Sequence, residues 1–135
     1  MRICVLGCGR MGALTANTMC AEGHEVTVID KNADAFKRLS PDFTGHKIVG
    51  NGLEKSTLIK AHLENMDAFV ATTNYDTRNI LGATIAKKIF SVPKVVARFY
   101  DQDRAKIFNA FGIETVCVTS IGSQMVENII LGING

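Results

Sequence analysis

Apolar runs of strand length alternate along the chain with longer segments of helical period, the pattern of βαβ units feeding a parallel sheet. Six strands are predicted: Arg2–Leu6, Glu25–Asp30, His46–Val49, Ala68–Thr72, Lys94–Arg98 and Thr115–Val118. Most are short and rich in Val and Ile, as expected of strands covered on both faces. Helices fall between them. The first runs from Arg10 to Ala21, with Met11, Leu14, Thr18 and Met19 on one face, and stops at Glu22-Gly23. The second starts at Asn32, a good N-cap, and ends before Pro41. A short third covers Glu54–His62. The fourth, Thr77–Phe90, carries Ile80, Leu81, Ile85 and Ile89 and is expected to be mostly covered. The fifth, Gln102–Phe111, ends at Gly112. The sixth, Ser120–Leu131, is expected to be capped by Thr119 or Ser120 and repeats Ile121, Met125, Val126, Ile129 and Ile130. Right-handed crossovers then give a doubly wound α/β (Rossmann) fold of three layers, with strand order 3-2-1-4-5-6. Ligands bind such sheets outside the carboxyl ends of the strands, where the order reverses between strands 1 and 4.

Length and composition narrow the class. The 135 residues suit one domain with a real core, and no linker, repeat or low-complexity segment divides them. A net charge of +2 is too small to argue for nucleic acid or an anionic membrane surface. The longest apolar runs are strand-sized, so no transmembrane helix is expected. The first run stops at Gly7 without a cleavage site, which points to a cytoplasmic protein. Cys4, Cys8, Cys20 and Cys117 form no C-x-x-C pair, and Cys4 and Cys117 read as small core side chains of strands.

Candidate chemistry gathers at the end of strand 1, which runs into Gly7-Cys8-Gly9-Arg10-Met11-Gly12, a G-x-G-x-x-G turn opening a helix. Gly7 permits the tight turn, Gly9 lets the backbone approach a pyrophosphate, and Gly12 lets the helix pack close to the sheet. The helix N-terminus offers N–H groups and positive partial charge to phosphates. Asp30 closes strand 2 near the spacing of about 20 residues expected of the acid that accepts the adenosine ribose hydroxyls. A carboxylate there repels a 2′-phosphate, which favours NAD(H), ADP or ATP over NADP. Lys31 beside it either touches ribose or phosphate or is simply solvated. Arg10 can reach the outer phosphates bidentately, or stand on the surface.

Five segments then form a recognisable set: Gly7–Gly12 with its arginine, Gly50-Asn51-Gly52, Ala71–Asn79, Val96–Asp101 and Ile107–Val116. Together and in this order they resemble the N-terminal nucleotide-binding domain of the potassium-uptake regulators of the Trk and Ktr type, also called the regulator of potassium conductance domain. The resemblance covers essentially the whole chain. It implies that Asn51 and Gly52 hold the adenine, at positions where aspartate and alanine are common; asparagine can both accept from and donate to the base. It places Thr72, Thr73 and Asn74 over the phosphates and second ribose, and Arg98 facing the ligand cleft, with a structural ion pair as the alternative for Arg98. It also implies pairing into dimers or rings through the last strand and helix, and a membrane potassium transporter or channel as partner at the inner face of the membrane. Many members carry a further C-terminal ligand-binding domain; this chain ends at Gly135.

Two other functions compete with a nucleotide-dependent switch. An NAD-dependent oxidoreductase of this fold normally builds its catalytic half from a second domain. His24, His46 and His62 fall in a turn, at a strand start and at a helix end, and read as surface or packing residues rather than general bases. No nucleophile triad, Walker lysine or metal cluster can be picked out, so catalysis is not expected. A redox-sensing cofactor-binding subunit could use Cys8 as a thiol sensor at the helix N-terminus, although a small tolerated side chain explains it as well. DNA binding lacks a basic patch and a helix-turn-helix segment.

Overall fold

The computed structural model describes residues 1–133. Its six strands are β1 (Arg2–Leu6), β2 (Glu25–Asp30), β3 (His46–Val49), β4 (Ala68–Ala71), β5 (Lys94–Arg98) and β6 (Glu114–Val116). Its α-helices are α1 (Arg10–Ala21), α2 (Lys55–Lys60), α3 (Asp76–Lys88), α4 (Gln102–Asn109) and α5 (Val118–Leu131). The strands form one all-parallel sheet in the order β3-β2-β1-β4-β5-β6. The predicted doubly wound order is therefore found, and the reversal point lies between β1 and β4.

Alternation along each strand divides the core between two faces. Ile3 and Val5 of β1 join Val26 and Val28 of β2 beneath Ala13 and Ala16 of α1. Cys4 and Leu6 point the other way, joining Ile29, Phe69, Ala71, Val95 and Ala97 beneath α2, α3 and α4. On the α1 side the cover is incomplete. Val70 and Val96, paired in register, are only half-buried.

Several predicted helix faces need correction, for one common reason. In α1 the buried residues are Gly12, Ala13 and Ala16, whereas Leu14 is 67% exposed and Thr18 is exposed. In α3 they are Asn79, Gly82, Ala83 and Ala86, whereas Leu81 and Ile89 are exposed. Both helices approach the sheet through small side chains; Met19 of α1 and Ile80 and Ile85 of α3 pack half-buried at the edges of these contacts, as expected, while Leu14, Leu81 and Ile89 are turned outward. The chain after β2 also differs from expectation: Asn32 caps as predicted, accepting from Asp34 N at 3.0 Å, but Ala33–Arg38 winds as a 3₁₀ helix. Three residues per turn sets Phe36 and Leu39 on the same side, and Leu39 N–H donates to Phe36 O. The short third helix closes earlier than expected, at Lys60, and His62 follows in the left-handed region.

The last helix departs furthest. It begins at Val118 with Cys117 as N-cap, so neither Thr119 nor Ser120 caps it, and Cys117 is a half-buried junction residue rather than core. Ser120 Oγ lies 3.2 Å from Cys117 Sγ inside the first turn. No residue of α5 is buried, and Ile129 and Ile130 are 77% and 75% exposed. Among the described residues no helix is long and apolar enough to cross a membrane.

Candidate functional site

The carboxyl ends of β1, β2 and β4 enclose a cleft of about 270 Å³ at the reversal point. Its floor is the glycine turn. Gly7 adopts φ +98°, a conformation that side chains rarely tolerate, and its N–H donates to Ile29 O at 2.8 Å. The turn is then closed from both sides. Thr72 Oγ lies 3.1 Å from Leu6 O and 3.0 Å from Gly7 O, tying β4 to the turn. Asp30 Oδ2 accepts from Cys8 N at 2.8 Å, and its Oδ1 accepts from Asn32 N at 2.9 Å. Asp30 thus fixes the turn while its carboxylate lines the cleft. At Gly12 a Cβ would overlap Gly7 O and come within 2.6 Å of Thr72 Oγ, so the close approach of α1 depends on glycine there.

The first turn of α1 carries no acidic residue, and its N-cap Gly9 supplies no side-chain cap. Amide groups at the head of this helix are therefore not capped by a side chain. The side chains around the cleft bear one negative charge, Asp30, and three positive ones, Lys31, Arg38 and Arg78. Burial, and secondarily the Asp30 charge, raises the Cys8 thiol above its ordinary range, with Arg38 and Lys47 opposing. Its neighbour in β1, Cys4, is pushed up to about 12 by burial. Both thiols stay protonated at neutral pH.

The loop after β4 is held by one buried side chain. Asn79 Oδ1 accepts from Thr73 N at 2.9 Å and from Thr73 Oγ at 2.6 Å. Its Nδ2 donates to Thr73 O at 3.0 Å and to Arg98 O at 2.8 Å. All four hydrogen-bonding positions of this amide are filled, and together they strap the cleft wall to the end of β5. Nearby, Asp76 accepts from the backbone N–H groups of Tyr100 and Asp101, fastening the β5–α4 connection to the head of α3.

The expected site residues divide into two groups. Gly7, Cys8, Gly9, Asp30, Lys31, Asn51, Gly52, Thr72, Thr73 and Asn74 all line the cleft. Asn51 already uses Oδ1 to accept from Leu53 N at 3.0 Å. Arg10 and Met11 lie outside the wall, Arg10 exposed at the start of α1, and Gly12 acts beneath the turn rather than in the cleft. Nor is Arg98 brought into the cleft. Its guanidinium stacks on Tyr100, 4.8 Å from the ring centroid, and donates to Tyr100 Oη at 2.8 Å. Sequence reasoning did not single out Arg38, Tyr75 or Arg78, which do line the cleft. Tyr75 and Arg78 could have been found from their i, i+3 spacing at the head of the helix that follows Thr72–Asn74.

Comparison with known proteins agrees with this geometry. The TrkA-N domain family model matches residues 3–119. A Trk system potassium uptake protein TrkA from Streptomyces coelicolor is 37% identical over 131 residues, covering 96% of this chain and 59% of the relative's length. The chain therefore spans less than two thirds of that curated relative. Among solved structures, the TrkA-N domain of the inner membrane protein ybaL from Escherichia coli superposes with a TM-score of 0.80 at 20% identity, covering 93% of this chain and 94% of that one. The GsuK channel bound to NAD gives 0.79 at 24% identity, over 95% of this chain and 23% of that one, and GsuK bound to ADP gives the same score and identity over 33% of its chain. At these identities the structural likenesses speak to the fold. The family match and the curated relative speak to descent: this chain belongs to the TrkA-N domain family.

Proposed function

We propose that this chain is a regulatory, non-catalytic nucleotide-binding unit of a potassium uptake system or channel, in which an adenine nucleotide, NAD(H) or ATP/ADP, shifts the conformation of the domain. One observation carries the reading: a glycine turn at an uncapped helix head and a carboxylate at the end of β2 face a single cleft at the reversal point of the sheet. The cleft can receive phosphates at the turn and ribose hydroxyls at Asp30. Similarity to Trk potassium uptake proteins, and to a channel solved with NAD and with ADP, supports the potassium-transport setting. Among the described residues no histidine lines the cleft, which favours a switch over an oxidoreductase. A ligand moves such a switch only through differential affinity for its two conformations.

Asp30→Ala removes both the ribose acceptor and the brace on Cys8 N, so calorimetry is expected to show ATP, ADP and NADH binding about 10- to 100-fold more weakly. If the folded wild-type protein binds none of these nucleotides, the reading fails.

We further infer that the chain assembles as a dimer or higher ring through α5, and that it works at the inner face of the membrane by joining a transporter or channel subunit. The stripe Ile121, Met125, Ile129 is uncovered, and so is the half-face of the sheet around Val70 and Val96. Each offers the apolar surface that the other lacks. Ile129→Asp is expected to shift sedimentation equilibrium to monomer. One lost isoleucine contact per copy costs about 3–6 kcal/mol in a two-fold assembly, or roughly two to four decades in affinity. A wild-type protein that is already monomeric at high concentration would refute the assembly.

A further inference from the structure

We propose that Arg78, braced by Tyr75, reads the free end of the ligand's phosphate chain, so that the β4 side of the cleft selects a nucleoside di- or triphosphate over a dinucleotide ending in nicotinamide. The inference rests on the cleft being a nucleotide site, and it chooses between the ligands that reading leaves open.

The carboxyl ends of β2, β1 and β4 are consecutive in the sheet, so Asp30, the glycine turn and the Thr72–Asn74 loop follow one another across the cleft. A nucleotide whose ribose meets Asp30 and whose phosphates cross the glycine turn points its far end at the head of α3. Tyr75 and Arg78 stand there, both in the cleft wall.

The state of Arg78 supplies the chemistry. It is half-buried, and its guanidinium carbon lies 4.6 Å from the centroid of the Tyr75 ring. Stacking holds the planar fork while leaving its edge N–H groups for another partner. Among the described residues Arg78 has no ion pair and no hydrogen bond. The carboxylate nearest in sequence, Asp76, is turned to the Tyr100 and Asp101 amides. Arg78 is therefore a positioned cation without an anion. A terminal phosphate fits it: two oxygens meet the fork in a bidentate pair. A nicotinamide end does not: oxidised, its ring is positively charged, and reduced, it is neutral and offers the fork no anion.

The test is calorimetric titration of ATP, ADP, AMP, NADH and NAD into the wild-type chain, Arg78→Ala and Arg78→Lys, with circular dichroism melts to confirm folding. Alanine suits an exposed-side helix position, so Arg78→Ala is expected to fold. ADP and ATP should weaken about 10- to 100-fold in Arg78→Ala, while AMP and NAD change less than about threefold. Arg78→Lys, which keeps the charge and loses the fork, should recover part of the loss. ADP binding that survives Arg78→Ala, or AMP or NAD weakening as far as ADP, overturns the role of Arg78 and leaves the site standing. Failure of all five ligands to bind the folded wild type overturns the site and this role with it.

Discussion

Gly12→Ala is expected to abolish nucleotide binding and lower stability by about 2–4 kcal/mol, although alanine is the better helix former. The favourable propensity change is worth about 1 kcal/mol. Against it stands a methyl group placed on Gly7 O and 2.6 Å from Thr72 Oγ. Overpacking against a side chain can be relieved by a rotamer change. Here the first obstacle is a backbone carbonyl, so α1 itself must move off the sheet. That displacement opens the packing of Ala13 and Ala16 and pulls the head of α1 from its place over the glycine turn. Thermal unfolding should drop by roughly 10 °C for a chain of this size. Gly9→Ala is the control: its Cβ would meet nothing within 4 Å, so the fold should survive while the methyl group intrudes on the phosphate path. A Gly12→Ala protein that melts with the wild type and binds nucleotide would show that α1 does not depend on this approach.

Asn79→Leu should be at least as damaging to the fold, at about 3–5 kcal/mol. Leucine matches the volume of the buried amide but none of its four hydrogen bonds. Thr73 N–H, Thr73 O and Arg98 O lose partners they cannot readily replace in a site with no exposure. Each unpaired buried group costs about 1–3 kcal/mol, partly offset by the apolar surface leucine buries. Asn79→Asp keeps the acceptor toward Thr73 but cannot donate to Arg98 O, and it places a carboxylate in a dry site. Both variants should therefore lose stability in urea denaturation, and in Asn79→Leu hydrogen exchange at the Thr73 amide should accelerate toward the rate of an unprotected amide. Slow exchange at Thr73 in Asn79→Leu would mean that the strap is redundant.

The sheet was legible because its signals are local and mutually consistent. Val- and Ile-rich runs, separated by segments long enough for crossovers, leave few topologies once right-handedness is imposed. The place of the glycine turn and Asp30 at one cleft was legible because a G-x-G-x-x-G turn after a first strand and an acid closing the second strand fall at neighbouring strand ends in this topology. Helix faces were not. Hydropathy ranks Leu14, Leu81 and Ile89 above alanine and glycine, yet the closest contacts admit only small residues and these three are turned outward, while Met19, Ile80 and Ile85 pack half-buried beside them. Asn79 is invisible to any apolar periodicity, since an amide reads as surface until its four partners are seen. Arg98 stands off the cleft wall because the direction of a side chain at a strand end depends on alternation. It shares the α1-side face with Val96, two residues before it, and finds Tyr100. Arg38 entered the cleft through a tight 3₁₀ turn that helical spacing did not anticipate.

The exposed last helix has the geometry of a lever. Its fourteen residues rise about 1.5 Å each, so α5 is an arm of about 21 Å rooted at Cys117. The root touches the same connection that Asn79 and Asp76 tie to the cleft wall, with Cys117 Sγ 3.7 Å from Tyr100 O. Because α5 buries no side chain against its own chain, little within the chain resists its swing. A tilt of about 5° at the base would carry Leu131 through about 2 Å, a displacement large enough to repack whatever the arm touches.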